Sequence, residues 1–202
     1  MATRARNQRG EGERLRTALL DAASELLGES QDVEQLSVRA VTARAGVSPT
    51  ALYLHFADKD ELTAAVKARC FAALAAVLRE AEAEHEEDRF AQMRAMGLAY
   101  LRFAHEQPGQ YAILFQTHVP KAGAPPDLRG AGDSGIECFD LLVGAVTRCI
   151  DDDTDPVELS ILLWMALHGR AAVRSALPSF PFPEEERYVD LMVERALGPA
   201  AR

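Results

Sequence analysis

The sequence predicts an all-α protein of about nine helices, a three-helix N-terminal unit followed by a larger helical domain. Three observations carry this. Apolar residues recur at the i, i+3/i+4 spacing of a helix face through most of the 202 residues. Helix-start signals recur, each a Ser or Asp followed by Pro or by an acid three residues on. Nothing alternates apolar and polar residues with the period of two that a half-buried strand needs. At 48% hydrophobic and 26% charged residues, the apolar content suits one or two small domains.

The first helix is expected over about Glu13 to Glu29, with Leu15, Leu19, Ala22, Ala23, Leu26 and Leu27 on one face and Gly28 marking its end. A polar, turn-like stretch from 29 to 36 leads to Ser37, an N-cap for a second helix carrying Val38, Val41 and Ala45. Gly46 falls where that helix must stop, because a left-handed residue there costs glycine no Cβ clash. Ser48 and Pro49 restart the chain with a capping hydroxyl and then a proline at the first helical position, where no N–H is missed. The third helix, Pro49 to His55, buries Leu52 and Phe56.

Helix, glycine turn, short helix is the outline of a helix-turn-helix, which places the start of its second helix at base edges in the DNA major groove. Those residues here are Ser48, Pro49, Thr50 and Ala51. Among them only the hydroxyls hydrogen-bond bases, so Thr50 and Ala51 are candidates for thymine-methyl contacts. Arg39, one turn into the preceding helix, is the candidate for a bidentate guanine contact. Ahead of this unit, Arg4, Arg6, Arg9, Arg14 and Arg16 face only Glu11 and Glu13. Residues 1–12 form a flexible basic arm, solvated when free and suited to phosphates or a minor groove.

The net charge of −9 is opposed to DNA binding only until it is divided. Residues 1–69 carry ten basic and ten acidic side chains, and all the excess acid lies in 70–202.

Asp58 with Glu61 forms an Asp-type capping box and opens a fourth helix, to about residue 86, carrying Leu62, Val66, Phe71, Leu74, Ala75, Val77, Leu78 and Ala81. The acids around His85 at its end lack metal-ligand spacing and read as a solvated helix end. A fifth helix, Arg89 to Glu106, is apolar on two faces: Phe90, Met93, Gly97, Leu101 and Ala104 on one, Met96, Tyr100 and Phe103 on the other. Pro108 starts a short sixth helix with Tyr111, Ile113, Leu114 and Phe115. Residues 117–133, broken by Pro and Gly, read as a loop that is functional or mobile. A seventh helix, Ser134 to Cys149, turns Ile136, Phe139, Leu142, Val143 and Val146 inward. Asp155, Pro156 and Glu158 start an eighth that reaches Ala176 and is strongly apolar. The preceding run of aspartates lacks the Gly and distal Glu of a calcium loop. After Pro178, Pro181 and Pro183, the acids Glu184 to Glu186 open a ninth helix that stops at Gly198.

Several classes are disfavoured. No stretch approaches the roughly 20 apolar residues of a membrane span, and the N-terminus lacks the apolar core of a signal peptide. The expectation is a cytoplasmic protein without a membrane partner. Cys70, Cys138 and Cys149 form no CxxC pair and are expected as reduced, buried thiols. On one helix Cys138 and Cys149 lie roughly 16 Å apart, too far for a disulfide. No nucleophile–base pair, phosphate-cradling glycine loop or metal spacing appears, so no catalytic residue, metal or cofactor is assigned.

The run Ala-Gly-Val-Ser-Pro-Thr (45–50) followed by Leu-Tyr-Leu-His-Phe-Ala-Asp-Lys-Asp-Glu-Leu (52–62) resembles the N-terminal domain of the TetR family of bacterial transcriptional repressors. That resemblance spans about residues 15 to 66. Trp164-Met-Ala-Leu-His168-Gly169 is similar to the Trp…His-Gly signature of one subset of the family's C-terminal domains. The resemblance implies a DNA-binding domain over 13–57 and a ligand-binding and dimerisation domain over 58–202. Tyr53, His55 and Lys59 match the family's phosphate-contacting set, which fixes register more than sequence. For Tyr53 the alternative is packing on the first helix, and for His55 an interface role. Arg44 is placed near phosphate or as a helix cap. A homodimer through the eighth and ninth helices would read a palindromic double-stranded DNA operator. Helices four to eight would enclose a pocket lined by Met93, Met96, Tyr100, Phe103, Phe115, Phe139, Trp164 and His168, any of which also suits ordinary core. A mostly apolar small-molecule effector there would shift the spacing of the two DNA units and release the operator. The rival is a helical dimeric interaction protein without DNA activity, against which the Tyr53, His55 and Lys59 set argues.

Overall fold

The computed structural model describes residues 11–30, 35–85, 87–115, 132–151 and 153–198. Among them are nine helices and no strand, as the periodicity predicts. In order these are α1 (Glu11–Ser30), α2 (Val38–Arg44), α3 (Pro49–Leu52), α4 (Lys59–Ala83), α5 (Arg89–Glu106), α6 (Pro108–Phe115), α7 (Gly132–Cys149), α8 (Pro156–Ala176) and α9 (Glu185–Leu197). Arg4, Arg6, Arg9 and most of the expected 117–133 loop lie outside the described residues. No helix among the described residues is long and apolar enough to cross a membrane.

The chain divides into two compact units, one of residues 1–70 with 109–132 and the other of 71–108 with 133–202. In the first, α1 packs on α2 and α2 on α3. Leu19, Leu27, Val41, Leu52, Phe56 and Leu62 are fully buried, each a side chain whose burial contributes about 1.5–3 kcal/mol. Two arginines tie neighbouring helices to α1 from the surface. Arg69 of α4 donates to Asp21 Oδ1 at 2.7 Å, Ser24 Oγ at 2.6 Å and the Leu20 carbonyl at 3.1 Å.

Gly28 does not end α1, which continues to Ser30. A Cβ on Gly109 would come within 3.2 Å of the Gly28 Cα, and one on Gly28 within 3.6 Å of the Gly109 Cα. The close approach therefore constrains Gly109, whereas a Cβ at Gly28 would make ordinary contact and the helix runs on through it.

In the second unit α5 packs against α8 and α9, and α8 against α9. A Cβ on Gly97 would meet Val189 Cγ1 at 3.0 Å, so α5 and α9 approach closely. An Arg94–Asp190 ion pair joins the same two helices. Asp155 caps α8 by accepting from the Val157 N–H at 2.8 Å, with Pro156 at the first position. The inward face expected for α7 is corrected in part. Ile136 is exposed, and the buried residues are Cys138, Ala145, Val146 and Cys149. All three cysteines are buried and free.

Candidate nucleic-acid interface

The turn between α2 and α3 follows from a few local residues. Ser37 Oγ accepts from the Ala40 N–H at 3.1 Å and starts α2. Gly46 stands at φ 70°, the Val47 N–H bonds back to the Thr42 carbonyl at 2.9 Å, and the Gly46 N–H to Ala43 at 3.3 Å. This is a Schellman ending, and its positive φ is what glycine supplies. Ser48 Oγ then accepts from the Ala51 N–H at 3.3 Å, with Pro49 at the first helical position.

The recognition helix is shorter than expected. It covers Pro49–Leu52, and residues 53–55 form a turn in which His55 and Phe56 N–H groups both bond to the Leu52 carbonyl, at 2.9 and 3.0 Å. Leu52 and Phe56, on either side of this turn, are both fully buried. Asp58 Oδ1 accepts from the Glu61 N–H at 2.8 Å, and Glu61 Oε2 accepts from the Ala57 N–H at 2.6 Å. The reciprocal cap predicted for α4 is therefore present, reaching one residue further back than the usual box.

Of the predicted contact residues, Arg39, Ser48, Pro49, Thr50 and Tyr53 are exposed, and Tyr53 is 55% exposed, so it does not pack into α1. Ala51, His55 and Lys59 are half-buried. A Cβ on Gly12 would lie 3.6 Å from His55 Cε1, so the imidazole edge sits against the first turn of α1. Arg44 makes an ion-pair tie that neither expectation for it named. Its guanidinium bridges Glu25 at 3.0 Å and Glu29 at 3.2 Å, tying α2 to α1, and its hydrogen bond and charge hold the Glu29 carboxyl below its ordinary value. Arg16 also turns inward, its guanidinium 5.2 Å from the centre of the Phe56 ring. Sequence spacing gave no sign of either contact, because both join separate helices.

The predicted effector residues divide between the units. Phe115 belongs to the first, where its ring lies 5.0 Å from that of Tyr111. Met93, Met96, Tyr100, Phe103, Phe139, Trp164 and His168 belong to the second. Met93, Met96, Tyr100 and Phe103 are buried, while Phe139, Trp164 and His168 are half-buried. The structure joins several of these. Tyr100 Oη and His168 Nδ1 are 3.3 Å apart, the Trp164 and His168 rings 5.7 Å, and the Phe139 and Trp164 rings 6.5 Å edge-on. Burial lowers the His168 pKa, so the imidazole is neutral near pH 7.

Sequence reasoning missed Arg170. It is 6% exposed, donates to the Pro183 carbonyl at 2.9 Å, and lies 4.6 Å from the Phe182 ring centre and 5.6 Å from that of Tyr188. Its Nε and Nη1 have no hydrogen-bond partner among the described residues. The available signal was a charge at helical spacing from Leu163 and Leu167 on the buried side of α8.

These features define a protein that is all-α among its described residues and carries a helix-turn-helix. Comparison with known proteins agrees in both halves. The family described as "Bacterial regulatory proteins, tetR family" matches residues 19–66, and "Tetracyclin repressor-like, C-terminal domain" matches residues 93–196. The chain belongs to the TetR family of transcriptional regulators, whose members bind DNA and small molecules and are dimeric. A curated relative, an uncharacterised helix-turn-helix-type transcriptional regulator of Haemophilus influenzae, is 46% identical over 50 residues, 25% of this chain and 24% of that protein. Among solved structures, a Rhodococcus protein of unknown function superposes with a TM-score of 0.75 at 26% identity, covering 93% of this chain and 96% of that one. The transcriptional regulator FadR of Bacillus subtilis, solved in complex with stearoyl-CoA, gives 0.71 at 14% identity over 91% and 98%. A TetR-family regulator of Marinobacter aquaeolei gives 0.67 at 16% identity over 94% and 97%.

Proposed function

We propose that this chain is a repressor that binds a palindromic operator as a homodimer and releases it when a mostly apolar effector binds. The observation that carries this is the exposed row of Arg39, Ser48, Pro49, Thr50 and Tyr53 around a capped glycine turn. Arg39 reads a guanine, Thr50 and Ala51 touch thymine methyls, and Tyr53, His55 and Lys59 set register on phosphates. Repression acts on chromosomal DNA, which places the protein in the cytoplasm. The dimer forms through α8 and α9, and exposed Ile161, Leu162, Met165 and Val173 on α8 support this as an apolar stripe left for a partner helix.

The effector occupies the second unit near Met93, Met96, Tyr100, Phe103, Phe139, Trp164 and His168. A long apolar ligand is supported by the stearoyl-CoA bound in the Bacillus subtilis FadR structure. The Tyr100–His168 pair supplies the polar point that such a ligand's head group needs.

The test has two arms. Operators are selected from a random duplex pool with the full-length protein, and affinity is measured by fluorescence anisotropy against salt. Arg39→Ala with Tyr53→Ala should abolish tight binding, and unchanged, salt-insensitive affinity would sink the DNA assignment. Acyl-CoA and free fatty acids are then titrated while following emission of Trp164, the single tryptophan. No ligand that both changes this emission and weakens operator binding would end the sensor reading alone.

A further inference from the structure

Leu54 is 76% exposed, the highest exposure among the large apolar side chains described in this protein. It is not a loose loop residue. Leu52 and Phe56 on either side are fully buried, and the intervening turn is closed by the His55 and Phe56 N–H bonds to the Leu52 carbonyl. Two anchors four residues apart thus hold Leu54 outward in a fixed place, directly after the recognition helix and beside exposed Tyr53.

The chemistry of the side chain narrows what it meets. A leucine gives no hydrogen bond to phosphate or to a polar base edge. In the major groove the apolar group presented by a base is the C5 methyl of thymine. Its place favours DNA over a protein partner as occupant, because Leu54 directly follows the recognition helix, whose Ser48, Pro49 and Thr50 are exposed, and adjoins exposed Tyr53.

We infer that Leu54 is a base-reading residue that packs on a thymine methyl and selects thymine over cytosine at one step of each half-site. This rests on the DNA-binding reading and adds a specificity determinant to it. The recognition face then reads by apolar contact at its end as well as at Thr50 and Ala51.

The experiment uses the full-length protein and the selected operator at one fixed salt concentration. Each thymine is replaced in turn by deoxyuridine, which removes the methyl and nothing else. Beyond any thymine read by Thr50 or Ala51, one thymine per half-site should be sensitive, with affinity falling about fourfold per half-site, the effect of one lost methyl burial. Leu54→Ala should weaken binding to the thymine operator by at least as much and should be indifferent to the uracil exchange at that step. Loss of affinity without this coupling would place Leu54 elsewhere on the duplex and overturn the proposal. So would wild-type protein that tolerates every uracil, an arm that needs no variant. If the protein enriches no duplex at all, the DNA-binding reading falls first, a result distinct from either.

Discussion

The two compact units handle polar groups in opposite ways. In the first, polar side chains close local gaps and leave a surface behind. Ser37, Ser48 and Asp58 each satisfy an N–H three residues ahead, and the arginine ties of Arg44 and Arg69 lie at the surface. The face proposed for DNA is what remains outside: small hydroxyls, a proline, a tyrosine and a leucine. In the second unit the functional candidates point the other way. His168 is half-buried against Tyr100 and Trp164, and Arg170 is enclosed by Phe182 and Tyr188. A face for a polyanion in water can be built from neighbours in sequence. A cluster for an apolar small molecule has to be assembled from distant helices.

The sharpest way to break this comparison is to remove the anchor of the first unit. Phe56→Ala is expected to cost that unit about 3–5 kcal/mol, because a fully buried aromatic leaves a cavity. Hydrogen exchange of α1 to α3 amides would report it, and operator binding should vanish with the fold of the turn. Arg39→Ala should act in the opposite manner. Its side chain is exposed, so the melting temperature should hold while operator affinity drops by about 1–3 kcal/mol at the guanine step. A loss spread evenly over all sequences would instead make Arg39 a phosphate contact. In the second unit Tyr188→Phe deletes the bond from Tyr188 Oη to the Ala166 carbonyl at 2.8 Å. That should lower stability by about 1 kcal/mol in denaturant melts and leave DNA affinity alone.

The same contrast explains what was legible in the sequence. Helix starts are readable because a cap and its target lie two or three residues apart, as with Ser37, Ser48 and Asp155. The glycine turn was readable because Gly46 answers to its own φ. Nothing local at Gly28 shows that Gly109, eighty-one residues away, packs closely on its backbone. The apolar spacing carries the recognition helix on to His55, because Leu52 and Phe56 at i and i+4 fit a helix as well as they fit the turn at 53–55. Ile136 was turned inward by periodicity alone, whereas the packing of α7 chose the face of Cys138 and Val146. Arg44, Arg16 and Arg170 were unreadable for one reason: each finds its partner on another segment.

The smallest expected effects concern pH, and they separate the units by window. His168 has its pKa lowered by burial, so the folded second unit keeps it neutral where the unfolded chain protonates it. Stability through this group is complete above its ordinary value of 6.5, and it falls as pH drops from there toward the lowered value. Glu29 has its pKa lowered first by the hydrogen bond and then by the charge of Arg44. Its contribution is complete above the ordinary 4.5 and disappears as pH falls through the lower folded value. Both groups thus destabilise on acidification, one in each unit and at different pH. His168→Gln should flatten stability just below pH 6.5, and Glu29→Gln should act only below 4.5 and weakly, since its partner pair is exposed to solvent. Denaturant melts across pH 3 to 8 would check this. If His168→Gln leaves the upper window unchanged, the imidazole is not held neutral by burial, and the second unit keeps its polar centre wetter than its packing implies.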